Sequence, residues 1–214
     1  MSWISRLLGA APDLPVLPPE LRQRLDAWAA LPVDATNRRH FETRYVIVNT
    51  EATGRSVTDD RLLAIAAIAI EDGALAADRA IHASLPPEPA AELAHLLEFA
   101  GKSPIVVFNA AFNRVLLENA LERHLGRVPD WFWLDLYWIL HGLFRPRATT
   151  GSRLADWMQQ FGIETFQRHH ALGDAYAIAQ LLLLALGRAR MLGVTTPEAL
   201  SEFEARARRE ALPR

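Results

Sequence analysis

The stretch Tyr45 to Gly54, Y-V-I-V-N-T-E-A-T-G, constrains the chain more than any other. Its first four residues are apolar, three of them β-branched, which reads as a buried strand. The pattern then breaks into polar residues and ends at a glycine turn. A strand that runs through a core and presents Asn49, Thr50 and Glu51 at its end must deliver them to a place where polar groups are used or satisfied.

The pattern around this strand defines the fold class. Leu62 to Ile70 is a second apolar run, closed by Glu71-Asp72-Gly73, a good hairpin turn, and Ala74 to Ser84 reads as the returning strand. Next come a helix over Glu88 to Ala100, a short buried strand at Ile105 to Phe108 and a helix over Ala111 to Leu125 with Phe112, Leu116 and Ala120 in register. Trp131 to Leu134 is strand-like, and Asp135 caps a short helix through Leu140. Ser152 can cap a helix reaching Phe161, a long helix spans Ala171 to Leu186, and a charged helix covers Pro197 to Arg209. Strands in hairpins followed by alternating helix and strand give an α/β domain with a mixed sheet between helices. Residues 1–40 read as an extension with a short amphipathic helix carrying Leu21, Leu25 and Trp28 on one face, either packed on the main domain or free to dock a partner. The main domain is expected over 41–190 and a C-terminal helix over 191–214.

Composition narrows the chemistry. The 214 residues are 50% apolar and 22% charged with a formal net charge of −2, so no strongly basic field points to nucleic acid, although a groove can be locally basic. There is no cysteine, which excludes disulfides, thiolate catalysis and cysteine-ligated zinc and is compatible with the cytoplasm. The start M-S-W-I-S-R-L-L-G-A-A-P does not read as a secretion signal, because Arg6 interrupts the apolar run. The longest apolar runs, such as Leu181 to Leu186, fall short of a membrane span. One loop, Arg145 to Arg153 (R-P-R-A-T-T-G-S-R), is basic and turn-rich: either a solvated connection or a phosphate contact.

Three segments place polar groups at strand ends or helix starts. They are Asn49-Thr50-Glu51 with Thr53-Gly54, then Asn109-Ala110-Ala111-Phe112-Asn113, then His169-His170-Ala171-Leu172-Gly173-Asp174. Taken singly, Asn49 and Asn109 could be turn formers, Asn113 an exposed helix residue, and His169 and Asp174 a first-turn histidine and a helix acid. Taken in order, N-T-E-A-T-G, N-A-A-F-N and H-H-A-L-G-D resemble the D-x-E-T-x-G, N-x-x-F-D and H-x-A-x-x-D motifs of the DnaQ-like (DEDDh) 3′-5′ exonucleases. The best-known member of that family is the proofreading epsilon subunit of DNA polymerase III. The approach R-L-A-D-W-M-Q-Q-F-G-I to the third motif is similar as well, and the resemblance covers residues 43–187.

The resemblance implies a ribonuclease H-like fold of the exonuclease type. It also implies two-metal hydrolysis of single-stranded DNA or RNA 3′ ends with Mg²⁺ or Mn²⁺, and a polymerase or other protein as a possible partner. Carried over by position, Asn49, Glu51, Asn113 and Asp174 take the places of the four acids and His169 that of the proton acceptor. Thr53 and the backbone around Ala52 would lie near the terminal ribose, Phe112 would contact substrate, and Asn109 would either support the ligands from behind or contact the nucleotide. His170 has no counterpart.

The two asparagines change the electrostatics. A carboxamide offers one neutral oxygen where the family has a charge. At an effective dielectric near 20, a unit charge lost ~4 Å from a divalent ion forgoes up to about 8 kcal/mol before desolvation is credited back. The ions are therefore expected to be weakly held and activity weakened. The protein is then a degenerate relative that binds but hardly cuts, an enzyme that borrows oxygens from phosphate or water, or a chain with two Asp→Asn replacements. The alternative function is a pseudo-exonuclease serving as a nucleic-acid-binding or protein-interaction module. Two further departures bear on substrate grip. Ala52 stands where the family has Thr, and the stretch from Ala80 to Pro104 is too short for the family's H-G-I-T-type loop and following helix.

Overall fold

The computed structural model describes residues 15–54, 56–57, 60–145, 153–165 and 170–211. Its centre is a five-stranded sheet of order β3-β2-β1-β4-β5. The strands are β1 (Tyr45–Ala52), β2 (Leu62–Glu71), β3 (Ala74–Ser84), β4 (Ile105–Val107) and β5 (Trp133–Asp135). The first three pair antiparallel, and β4 and β5 add in parallel on the other side of β1. The β2–β3 turn is the Asp-Gly pair read from the sequence. Asp72 (φ 51°) and Gly73 (φ 72°) both have positive φ, as a two-residue hairpin of matching twist requires.

The pleat sorts side chains between two cores. Tyr45, Ile47, Ala64, Ala66, Ile68 and Ile70 face one, and Val46, Val48, Ile65 and Ala67 face the other. The first core is covered by α4 (Leu136–Leu143), α5 (Leu154–Phe161), α6 (Ala171–Met191) and α7 (Pro197–Ala211). The second is covered by α1 (Pro19–Ala29), α2 (Ala90–Ala100) and α3 (Ala110–Leu125). Helix α6 is long and apolar enough to cross a membrane by length and composition, yet 56% of that window is buried, and it lies against the sheet as a core helix.

Most elements lie where the sequence puts them, and the differences have local causes. Helix α2 starts at Ala90 rather than Glu88, because Pro89 disfavours helical backbone at the residue before it. Strand β5 starts at Trp133. Trp131 is instead buried among apolar side chains, and its indole N–H donates to the Gly101 carbonyl at 2.9 Å. Helices α4 and α6 run on to Leu143 and Met191 because their apolar faces stay against the core. Ser152 and most of the basic loop Arg145 to Arg153 lie outside the described residues; α5 is entered from Arg153, whose N–H donates to Asp156 at 2.6 Å.

The N-terminal helix packs on the domain. Leu21, Leu25 and Trp28 are buried, the Trp28 indole donates to the Gly101 carbonyl at 3.0 Å, and Arg24 makes a two-pronged bond to Glu98. At the other end, α7 closes on α4. A Cβ on Gly142 would come within 2.6 Å of the Phe203 ring and 2.8 Å of the Ala207 methyl, so this glycine is what permits the close approach.

Candidate functional site

The three polar segments meet at the C-terminal end of β1. Asn49 and Glu51 follow Tyr45 and Ile47 on the α6 side of the sheet, and Thr50 and Ala52 follow Val46 and Val48 on the α3 side. The Asn49 amide donates to the carbonyl of Ala171, first residue of α6, at 3.2 Å. On the other side, the Thr50 hydroxyl donates to Asn113 Oδ1 at 2.6 Å. The first segment thereby touches both of the others, although they lie 63 and 122 residues away.

Glu51 is half-buried. Its Oε1 is shielded from solvent and has no hydrogen-bond partner among the described residues. A buried carboxylate oxygen left without a donor is costly, and a cation or a donor on a ligand would satisfy it. Asp174 stands in the first turn of α6, half-buried, with its N–H bonded to the His170 carbonyl at 3.0 Å. His169 lies outside the described residues. His170 precedes α6, and its ring packs 4.5 Å from that of His82 on β3. His82 pairs across the sheet with Ala66, which pairs with Asn49, so the histidine contact belongs to the same row as the polar end of β1.

The second segment is held by a residue that local pattern does not reveal. Asn109 adopts left-handed backbone (φ 68°, ψ 73°) at the start of α3 and makes no side-chain cap. Its N–H and that of Ala110 donate to the two carboxylate oxygens of Asp135, at 2.9 and 2.8 Å. Asp135 also accepts the Tyr137 N–H at 3.0 Å, the α4 cap read from the sequence. Its own N–H donates to Glu204 of α7 at 2.9 Å. Burial pushes the Asp135 carboxyl up despite these donors. Burial, with the neighbouring Asp135 charge, raises Glu204 to about 7. Asp60 is a second organiser missed in the sequence. It accepts the Thr53 hydroxyl at 2.5 Å and the Ser56 N–H at 2.6 Å, and its carboxylate packs where a Cβ on Gly54 would stand, 2.7 Å away. Only the Thr53-Gly54 turn signal hinted at it.

Phe112 is half-buried against the second core. Asn113 is 9% exposed and its amide nitrogen donates to the carbonyls of Phe108 (2.7 Å) and Asn109 (3.2 Å). Ala52 lies at a shift in the β1–β2 register, where the strand turns toward Thr53. On the α3 side a cleft of about 580 Å³ runs along Asp60, Arg61, Leu85, Leu116, Arg123 and His124.

The donor set does not fit a pair of hard cations. Among the described residues no three His, Cys, Asp or Glu side chains cluster as ligands. The Asn113 nitrogen faces two carbonyls and its oxygen accepts from Thr50. Among the described residues, Glu51 Oε1 is the buried carboxylate oxygen without a donor, and its chemistry suits a hard cation.

No protein-family model matches the chain, and no curated protein matches it. Solved structures do. Zinc-bound E. coli exonuclease I in complex with single-stranded DNA is 18% identical over 69% of this chain and 41% of that one, with a TM-score of 0.55. E. coli exonuclease I with a dA16 oligonucleotide is 19% identical over 75% of this chain and 42% of that one, with a TM-score of 0.53. Exonuclease X in complex with 5′ overhanging duplex DNA is 16% identical over 75% of this chain and 99% of its own, with a TM-score of 0.53. The chain thus spans about two fifths of exonuclease I and nearly all of exonuclease X. At these identities the likeness is one of fold. The open mixed sheet flanked by helices, ribonuclease H-like and of the exonuclease type, is the fold expected from the sequence.

Proposed function

We propose that this protein holds the 3′ ends of single-stranded nucleic acid at the end of β1, and that it hydrolyses them slowly or not at all. The observation that carries the reading is the meeting of the three motif-bearing segments through the Asn49–Ala171 and Thr50–Asn113 bonds, in a fold shared with exonucleases I and X. The motif order supports an ancestral 3′-5′ exonuclease centre, and the DNA carried by those neighbours supports a nucleic-acid ligand. In this reading Ala52, Thr53, Asn109 and Phe112 border the terminal nucleotide, and the strand runs along the cleft past Arg61, Arg123 and His124. Contacts to phosphate by such groups make binding fall with salt.

Weak hydrolysis follows from the ligand count. Glu51 and Asp174 remain as carboxylates, and His169 as the proton acceptor implied by the motif. The zinc in exonuclease I supports a divalent ion here too, taken as one weakly held Mg²⁺ or Mn²⁺ on Glu51 and Asp174 that arrives with substrate phosphate. Slow hydrolysis rather than none is favoured by Glu51, whose open buried oxygen is suited to such an ion. A polymerase as protein partner rests on the family resemblance alone.

The test is a 5′-labelled single strand incubated with the protein and Mn²⁺, read for both retained complex and shortened products. Retention with no ladder, or a ladder growing over hours, is expected. Failure to retain the strand at low salt overturns the reading. A ladder completed within seconds overturns the weakening.

A further inference from the structure

We infer that Asn49 and Asn113 are structural cross-links that close the pocket without metal, rather than poor substitutes for ligands. Asn113 fixes its own orientation. Its amide nitrogen carries two hydrogens, and two backbone carbonyls receive them, Phe108 at 2.7 Å and Asn109 at 3.2 Å. No rotamer of the amide that puts its oxygen there is tolerable, since it would face two acceptors. The oxygen is therefore turned to Thr50, whose hydroxyl donates to it at 2.6 Å. The side chain is 9% exposed and ties the end of β1 to the β4–α3 turn. Asn49 does the same toward α6, donating to the Ala171 carbonyl at 3.2 Å. Both side chains join segments distant in sequence; the Asn49 bond and the two local Asn113 bonds need an N–H that a carboxylate lacks, and they leave the Asn113 oxygen to accept from Thr50.

An acid at either position is therefore worse placed than the motif suggests. At 113 a carboxylate oxygen would meet the Phe108 and Asn109 carbonyls at hydrogen-bond distance with no proton between. The charge would have to leave the turn or draw in a cation. The amides remove that requirement, so the polar end of β1 is held in one arrangement by neutral bonds. The inference rests on these bonds and the fold and is independent of whether nucleic acid binds.

Thermal unfolding of the full chain, in EDTA and in excess Mn²⁺, tests it. The unaltered protein is expected to melt at the same temperature in both, within about 2 °C. Asn113→Asp in EDTA is expected to melt roughly 5–15 °C lower, and Asn49→Asp, half-exposed, lower by less. Thr50→Val leaves the Asn113 oxygen without its donor and is expected to lower the midpoint by about 2–6 °C. If Asn113→Asp fails to fold, Thr50→Val decides: a lowered midpoint supports the cross-link and an unchanged one overturns it. An Asn113→Asp protein as stable in EDTA as the parent would overturn the cross-link.

Discussion

Glu204 and Asp135 show how much one residue can carry unseen. Asp135 reads in the sequence as a helix cap, and it is one, but its two oxygens also hold the N–H groups of Asn109 and Ala110. Nothing local announces that second role, because the partners are 26 and 25 residues away. Glu204 then adds a second carboxyl beside it, raised to about 7 by burial first and by the Asp135 charge. Its ordinary value is 4.5, so between 4.5 and about 7 the folded state holds a proton that the unfolded chain has released. The stability this group supplies is full below the unfolded value and is lost as pH rises through about 7, up to about 3 kcal/mol in all. Glu204→Gln keeps an acceptor for the Asp135 N–H and removes the titration. Urea unfolding at pH 5 and pH 8 should show the parent losing more stability than Glu204→Gln across that interval. Equal losses would mean that Glu204 titrates normally. The asparagines at 49 and 113 illustrate the complementary limit. Their positions were legible from motif spacing, but the direction of each amide depends on carbonyls that only the folded chain brings near.

At the scale of elements, legibility followed local chemistry. The β2–β3 hairpin was plain from Asp72-Gly73, since few other residues accept positive φ at both turn positions. The long helix α6 runs past the Leu186 expected from the sequence to Met191, since Ala189 is still buried against the core. The packing of α7 on α4 was not legible at all. It hangs on Gly142, which in the sequence is an unremarked glycine inside a helix, and in the fold is the spot where Phe203 and Ala207 come closest. Gly142→Ala adds one methyl 2.6 Å from the half-buried Phe203 ring and 2.8 Å from the Ala207 methyl, which has no rotamer by which to move away. The expected cost is about 1–3 kcal/mol, with α7 loosened from its seat. Limited proteolysis should then release the C-terminal helix faster than in the parent. Unchanged cleavage together with an unchanged melting temperature would show that Phe203 swings away at no cost. Glu204, which accepts the Asp135 N–H, lies on the same helix.

For the whole molecule, the fold class was readable because strand order follows from pattern: hairpins first, then helix and strand in alternation. Convergence of three distant segments at one end of β1 is legible only through motif order; in the fold, the Asn49–Ala171 and Thr50–Asn113 hydrogen bonds join these segments. Asp60 and His82 carry no motif, and Asp135 shows only its role as a helix cap, so their part in organising the surroundings is not legible in the sequence. The most direct measurement is fluorescence anisotropy of short labelled single strands in EDTA, comparing a free 3′-hydroxyl with a 3′-phosphate. A protein that seats strand ends in a pocket closed without metal should bind in EDTA and should prefer the free 3′-hydroxyl by about tenfold, a difference of ~1.4 kcal/mol. Equal affinity for the two ends, or binding that appears only when Mn²⁺ is added, would contradict it.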